Sequence, residues 1–159
     1  MRIFAAIILL SVFACLQAQN AVKVYKGRSN YTSDIICNIK NGKVYKKNST
    51  YTSDILCNVR GTKIYDGNSS YTNDIICNIS DGKVYQGNSN YTSDIALRIK
   101  DGKIYKGNST YSSDVIANVK NGYVYSGTSS YSSDVQFHYN GHLTIEEFVA
   151  VYFAVMYMW

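Results

Sequence analysis

Histidine is nearly absent. His138 and His142 are the only two in 159 residues, so little material exists for His-based catalysis or metal binding. Proline is missing altogether, and no proline-rich linker divides the chain. The single tryptophan, Trp159, leaves out the Gly-Trp signature of choline-binding cell-wall repeats. There is no G-x-x-x-x-G-K phosphate loop, no nucleophile–base pair and no His/Cys metal spacing, so the sequence points to no enzyme and no cofactor. Long apolar runs are missing too: residues 3–13 and 148–159 fall short of the ~20 residues that cross a bilayer as a helix. Neither charge sign dominates. Sixteen Lys+Arg against eleven Asp+Glu give +5, and the basic residues are spread out, so a nucleic-acid partner is not indicated. Apolar residues make up 46%, enough for one packed domain and too many for wholesale disorder.

The first eighteen residues read as a signal peptide: a basic Met1-Arg2, an apolar core from Ile3 to Phe13, then small residues. Cleavage after Leu16-Gln17-Ala18 leaves Gln19 as the new N-terminus. Val12-Phe13-Ala14-Cys15 also resembles a loose lipobox, which would make Cys15 a lipidation site, although Phe is unusual in its middle. An uncleaved anchor is the third reading. The expected location is exported: periplasmic, extracellular or outer-membrane-associated.

Internal repetition dominates the rest. Lys23-Val24-Tyr25 recurs as Lys43-Val44-Tyr45, Lys63-Ile64-Tyr65, Lys83-Val84-Tyr85, Lys103-Ile104-Tyr105 and Tyr123-Val124-Tyr125, every 20 residues without a slip. Asp34, Asp54, Asp74, Asp94, Asp114 and Asp134 keep the same spacing. So do Tyr31, Tyr51, Tyr71, Tyr91, Tyr111 and Tyr131. Six units cover 23 to about 142, the sixth read as one residue short before Asn140-Gly141. Each unit predicts a β-hairpin, because Asn41-Gly42, Asp81-Gly82, Asp101-Gly102 and Asn121-Gly122 supply the two positive-φ residues of a type I′ turn between β-branched runs. Gly61-Thr62 departs from the pair but suits type II′. Glycine opens the polar link between hairpins, except in the second unit, where Lys47 stands. Alternation places Ile35, Cys37, Ile39 and Val44 on one face, with Asn38, Lys40, Lys43 and Tyr45 on the other.

From Leu143 the period changes. Thr144 and Glu147 form a capping box, Leu143 and Phe148 sit at staple positions, and no charge follows to Trp159. A helix apolar all round is buried all round. Twelve strands ~4.8 Å apart and tilted ~40° close at a radius of about 12 Å, room for one ~10 Å helix and a layer of side chains. The expected fold is therefore mainly β: six 20-residue hairpin repeats in a closed, shallow, twelve-stranded barrel over 19–142, with the C-terminal hydrophobic helix 143–159 as central plug. Closure also removes sheet edges.

The Asp/Asn-Gly turns, the apolar C-terminal helix and the corner Gly67-Asn68-Ser69-Ser70-Tyr71-Thr72-Asn73-Asp74 resemble the β-flower proteins, small bacterial proteins built of radial hairpin repeats. The resemblance covers about 23–159. It implies a shallow symmetric barrel, likened to the tubby and scramblase barrels, and it implies no activity and no catalytic residues.

Among candidate sites, Cys37, Cys57 and Cys77 share one repeat position on the apolar face. Equivalents two strands apart lie about 9.6 Å from each other, beyond the ~7 Å that a disulfide bridges, so they read as buried small hydrophobes rather than a soft-metal site. The aspartates read as holding backbone N–H groups of their own corners, helped by the preceding serine, before a cation ring. The two tyrosine circles are the most suggestive feature: Tyr31, Tyr51, Tyr71, Tyr91, Tyr111 and Tyr131 are the candidate ligand-binding set, against cross-strand packing that stiffens the sheet. His138 and His142 read as satisfied or solvated side chains in the irregular last unit. Asn48-Ser49-Thr50 and Asn108-Ser109-Thr110 are glycosylation acceptors only in a host that glycosylates exported proteins.

The leading functional expectation is a monomeric, non-enzymatic exported domain that binds a lipid, a membrane surface or another amphipathic envelope partner, with a channel or a released helix as the working part. The alternatives are a surface-recognition module that binds envelope glycan through its repeated tyrosines, and a purely structural envelope protein.

Overall fold

The computed structural model describes residues 21–157. The signal-peptide reading, its cleavage site and Cys15 lie outside the described residues, as do Met158 and Trp159. Twelve antiparallel strands form one closed barrel: β1 Val22–Lys26, β2 Ile35–Lys40, β3 Lys43–Lys46, β4 Ile55–Arg60, β5 Lys63–Asp66, β6 Ile75–Ser80, β7 Lys83–Gln86, β8 Ile95–Lys100, β9 Lys103–Lys106, β10 Val115–Lys120, β11 Tyr123–Ser126 and β12 Val135–Asn140. One α-helix among the described residues, α1 Ile145–Tyr157, follows, and each corner ends in a single 3-10 turn such as Thr52–Asp54.

Turn chemistry explains the alternation of short and long connections. Asn41 and Gly42 take φ of 51° and 70°, both left-handed, as a type I′ turn requires. At Gly82 only glycine fits, since a Cβ there would stand 2.5 Å from the Ile99 carbonyl oxygen. Four such turns join β2 to β3, β6 to β7, β8 to β9 and β10 to β11, while the turn from β4 to β5 has positive φ at Gly61 alone, 60°, as the type II′ expectation requires. The sixth pair has no turn. β12 keeps its full six residues and pairs with β1 from the other end of the chain, Asn140 opposite Lys23 and His138 opposite Tyr25. The shortening expected before Asn140-Gly141 therefore does not exist: the repeat stops at Asn140, and Gly141 leads away to the helix.

The face assignment changes at one position in every unit. The ladder between β1 and β2 pairs Val24 with Cys37 but Tyr25 with Ile35, so Ile36 is an extra residue. Five further ladders bulge at the same place. A bulge puts two residues opposite one and breaks the alternation. Ile35 thus leaves the face of Cys37 and Ile39. It is buried outside the inner cluster, paired with a tyrosine, while Ile36 packs against the interior. The opposite face is likewise less polar than alternation predicts, with Asn38 and Tyr25 buried on it.

Inside, Val24, Val44, Ile64, Val84, Ile104 and Val124 form a ring of fully buried side chains around α1. The capping box forms as expected: the Thr144 N–H donates to Glu147 Oε2 at 3.1 Å, and the Glu147 N–H donates to Thr144 Oγ1 at 3.2 Å. Phe148, Val149, Ala150, Val151, Tyr152 and Ala154 are buried. The plug lies nearest to β2 and β4. It enters beside the two-residue turns and runs toward the longer connections, so the barrel has a turn end and a corner end.

Candidate functional site

Each corner is an eight-residue connection, such as residues 47–54, and its shape is set by three contacts. A left-handed residue opens it: glycine in five units, Lys47 at φ 53° in the other. The Ser49 hydroxyl donates to Asp54 Oδ2 at 2.5 Å and accepts from the Tyr51 N–H at 3.1 Å. The serine–aspartate bond recurs in all six corners, linking Ser29 to Asp34, Ser69 to Asp74, Ser89 to Asp94, Ser109 to Asp114 and Ser129 to Asp134. The aspartates thus hold a hydroxyl five residues back rather than backbone N–H groups, and the preceding serine joins in only at Ser93 and Ser133. Hydrogen bonds from Ser89 and Ser93 hold the Asp94 carboxyl below its usual range. Among the described residues no cluster of three or more His, Cys, Asp or Glu could hold a metal ion.

The third contact comes from the strand before. Asn38 Nδ2 donates to the carbonyls of Lys47 and Ser49 at 3.0 and 2.8 Å, and Asn58 and Asn118 do the same for their corners. These clamps span nine or eleven residues, and only their 20-residue recurrence marks them in the sequence. In the fourth unit Arg98 replaces the clamp and reaches Asn108 Oδ1 at 3.3 Å.

So held, each corner leaves its tyrosine outside. Tyr31, Tyr51, Tyr71, Tyr91, Tyr111 and Tyr131 are 71–75% exposed, and by the repeat they ring the corner end at one level. The second tyrosine circle differs: Tyr25, Tyr85, Tyr105 and Tyr125 are buried against the wall. Inside the ring of exposed tyrosines the helix emerges, with Met156 38% and Tyr157 62% exposed. Ile145, at the turn end, is the one other large apolar side chain exposed among the described residues.

Between α1 and the wall lies a cavity of about 270 Å³, lined by Ile76, Cys77, Gln86, Ala96, Leu97, Phe153 and Tyr157. All but the helix residues come from the corner-end halves of β6, β7 and β8.

Six equivalent petals in one closed ring around a helix are what the comparison with known families then finds. A family described as 6-fold beta flower protein matches residues 24–155. The chain is a six-fold β-flower protein. No curated protein and no solved structure matches it.

The β-flower is stitched shut at His138. Its ring stacks between Tyr25 at 5.2 Å and Tyr123 at 5.0 Å, and Arg28 lies over Tyr123 at 5.1 Å. Nδ1–H donates to the Gly27 carbonyl at 2.8 Å, while Nε2 faces the Asn30 side-chain amide at 3.3 Å. His138 therefore does for the closing corner what the asparagines do elsewhere; His142 is exposed. Cys37, Cys57 and Cys77 are buried and free. Desolvation pushes the Cys57 and Cys77 thiols up to about 12, and that of Cys37 further, so none offers a thiolate near neutral pH.

Proposed function

We propose that this β-flower is a non-enzymatic module that docks a lipid surface with its corner end, in an exported setting. One observation carries the reading. Every large apolar side chain exposed among the described residues, apart from Ile145, sits at that end: six tyrosines in a ring, with Met156 and Tyr157 at its centre. Tyrosine is the side chain that settles at a membrane–water interface, with its ring in the headgroup region and its hydroxyl in water. Rigid corners, held by the Ser–Asp bond and the asparagine clamp, present the rings at little further entropic cost. Export is supported by the basic start and short apolar core of residues 1–18.

The surface that fits is zwitterionic. Near the corner end, Lys26, Arg28, Lys46, Lys47, Arg98 and Lys106 are balanced by Asp66 and the six corner aspartates. Sedimentation with phosphatidylcholine vesicles tests the reading. The wild-type chain should co-sediment, and replacing Tyr31, Tyr71 and Tyr111 by Ser should reduce the bound fraction several-fold with no change in melting temperature. No vesicle binding, with retention on envelope glycan that the same changes abolish, would move the tyrosines to sugar recognition.

A further inference from the structure

We propose that the cavity beside Ala96 is a binding site for a medium-chain fatty carboxylate. The proposal deepens the lipid reading by naming a ligand, yet the site lies behind the docking ring and can be tested without a membrane.

The cavity has a cause in the sequence. The bulge residue is Ile36, Leu56, Ile76 and Ile116 in four units, Gln136 in the sixth and Ala96, the one small side chain, in the fourth. Three missing carbons open space between β8 and the helix. Of the two units that depart from the aliphatic bulge residue, the fourth alone loses side-chain volume there, and it has also exchanged its asparagine clamp for Arg98. Ile76, Cys77, Ala96, Leu97 and Phe153 make the lining apolar. At about 30 Å³ per water-sized group, 270 Å³ holds about nine methylene or methyl groups.

The polar end is also in place. Strand register sets Gln86 opposite Cys77 and Lys106 opposite Leu97, so both belong to the inner face at the corner-end rim. Gln86 and Tyr157 line the cavity, and Lys106 is exposed beside it. The rim thus offers an amide N–H, a phenol O–H and an ammonium to a negatively charged head, above an apolar slot. The nearest aspartate of the same rim position, Asp66, is two strands from Gln86, about 9.6 Å away. Decanoate, with nine apolar carbons and one carboxylate, matches this layout.

Calorimetric titration of the full chain with decanoate, below the concentration at which it forms micelles, decides the matter. The expected result is saturable binding at one site per chain. Ala96→Ile installs the residue of three sister units; it should weaken binding by about tenfold or more, roughly 1.4 kcal/mol, with the melting temperature unchanged or raised. Lys106→Gln should weaken decanoate and leave decanol unchanged. Absence of saturable binding by the wild-type chain, or equal binding by Ala96→Ile, overturns the proposal; a Trp159 emission that shifts only in Ala96→Ile would then assign the slot to the chain's own tail. Decanoate binding without vesicle sedimentation would sink the docking reading and leave this site standing. Vesicle sedimentation without decanoate binding would do the reverse.

Discussion

The two ends of the barrel are made by the same twenty-residue unit and carry different chemistry. At the turn end stand Lys23, Lys40, Lys43, Arg60, Lys63, Lys83, Lys100, Lys103 and Lys120 against Asp81, Asp101, Glu146 and Glu147. Lys40 faces Lys43 across the ladder, Arg60 faces Lys63, and Lys100 faces Lys103. At the corner end charges nearly cancel and apolar rings face water. The difference follows from connection length. A two-residue turn uses both residues to reverse the chain, so only the flanking strands decide what that end displays. An eight-residue corner has residues to spare once its backbone is held, and it spends one on an exposed tyrosine. A repeat protein of this kind keeps its excess charge at its tight end and its exposed apolar rings at its loose one.

Removing the helix should break the comparison most completely, since α1 fills the interior that the twelve strands enclose from one end to the other. Deleting residues 143–159 withdraws Phe148, Val149, Val151 and Tyr152 from the core. At about 1.5–3 kcal/mol for each large side chain, the loss rivals the 5–15 kcal/mol that holds a whole domain. The truncated chain should lose its cooperative melt and aggregate in size-exclusion chromatography. A folded, monomeric truncation would mean that the wall stands alone.

Smaller changes sharpen the contrast. Lys47→Gly relieves the one non-glycine, left-handed residue that opens a corner, and should stabilise by about 1 kcal/mol in thermal unfolding. Ser69→Ala removes a corner hydrogen bond and should cost about 1 kcal/mol, lowering the melting temperature by roughly 2–4 °C. At the turn end the sign reverses. Lys43→Gln removes a like-charge cross-strand pair and should stabilise by a few tenths of a kcal/mol at low salt, an effect that disappears at high salt. Acid should act on the corner that holds Asp94. Because the folded pKa of Asp94 is depressed, its contribution is present above the unfolded value near 3.8 and is lost as pH falls through the folded value. Ser89→Ala should raise the Asp94 titration midpoint, read from its side-chain carbon resonance in NMR; no change would mean that the hydroxyl does not hold the charge.

What the sequence disclosed is what is local. Asn41-Gly42 dictates its own dihedrals, and Thr144 and Glu147 meet within one helical turn, so the turns, the repeat and the capping box could be read residue by residue. The 20-residue period with an apolar tail was enough for closure around a plug. The bulge was hidden because Ile35 and Ile36 are alike, and a pattern of apolar and polar residues does not say which of two adjacent isoleucines turns inward. The asparagine clamps and the Ser–Asp bond were hidden because their partners lie five to eleven residues away across an irregular path. Asn140-Gly141 imitated a hairpin turn, and only the pairing of β12 with β1 corrected it. The cavity needed the helix position as well as the small residue at Ala96. Both tyrosine circles recur every 20 residues, and only burial shows that the corner set is exposed while most of the strand set is covered.

Closure between the first and last strands also shapes how the protein is made. The Gly27–His138 contact joins residues 111 apart, and a ribosome adding about 5–20 residues per second needs roughly 6–20 s to supply the second after the first. Hairpins form in microseconds. Until the last strand and the helix are supplied, the ring cannot close and its hairpins have two bare edges and nothing yet to wrap. Each edge is built to accept a petal, and a neighbouring nascent chain offers identical ones. Refolding at high chain concentration should consequently yield rings that borrow petals from two chains, and dilution should suppress them.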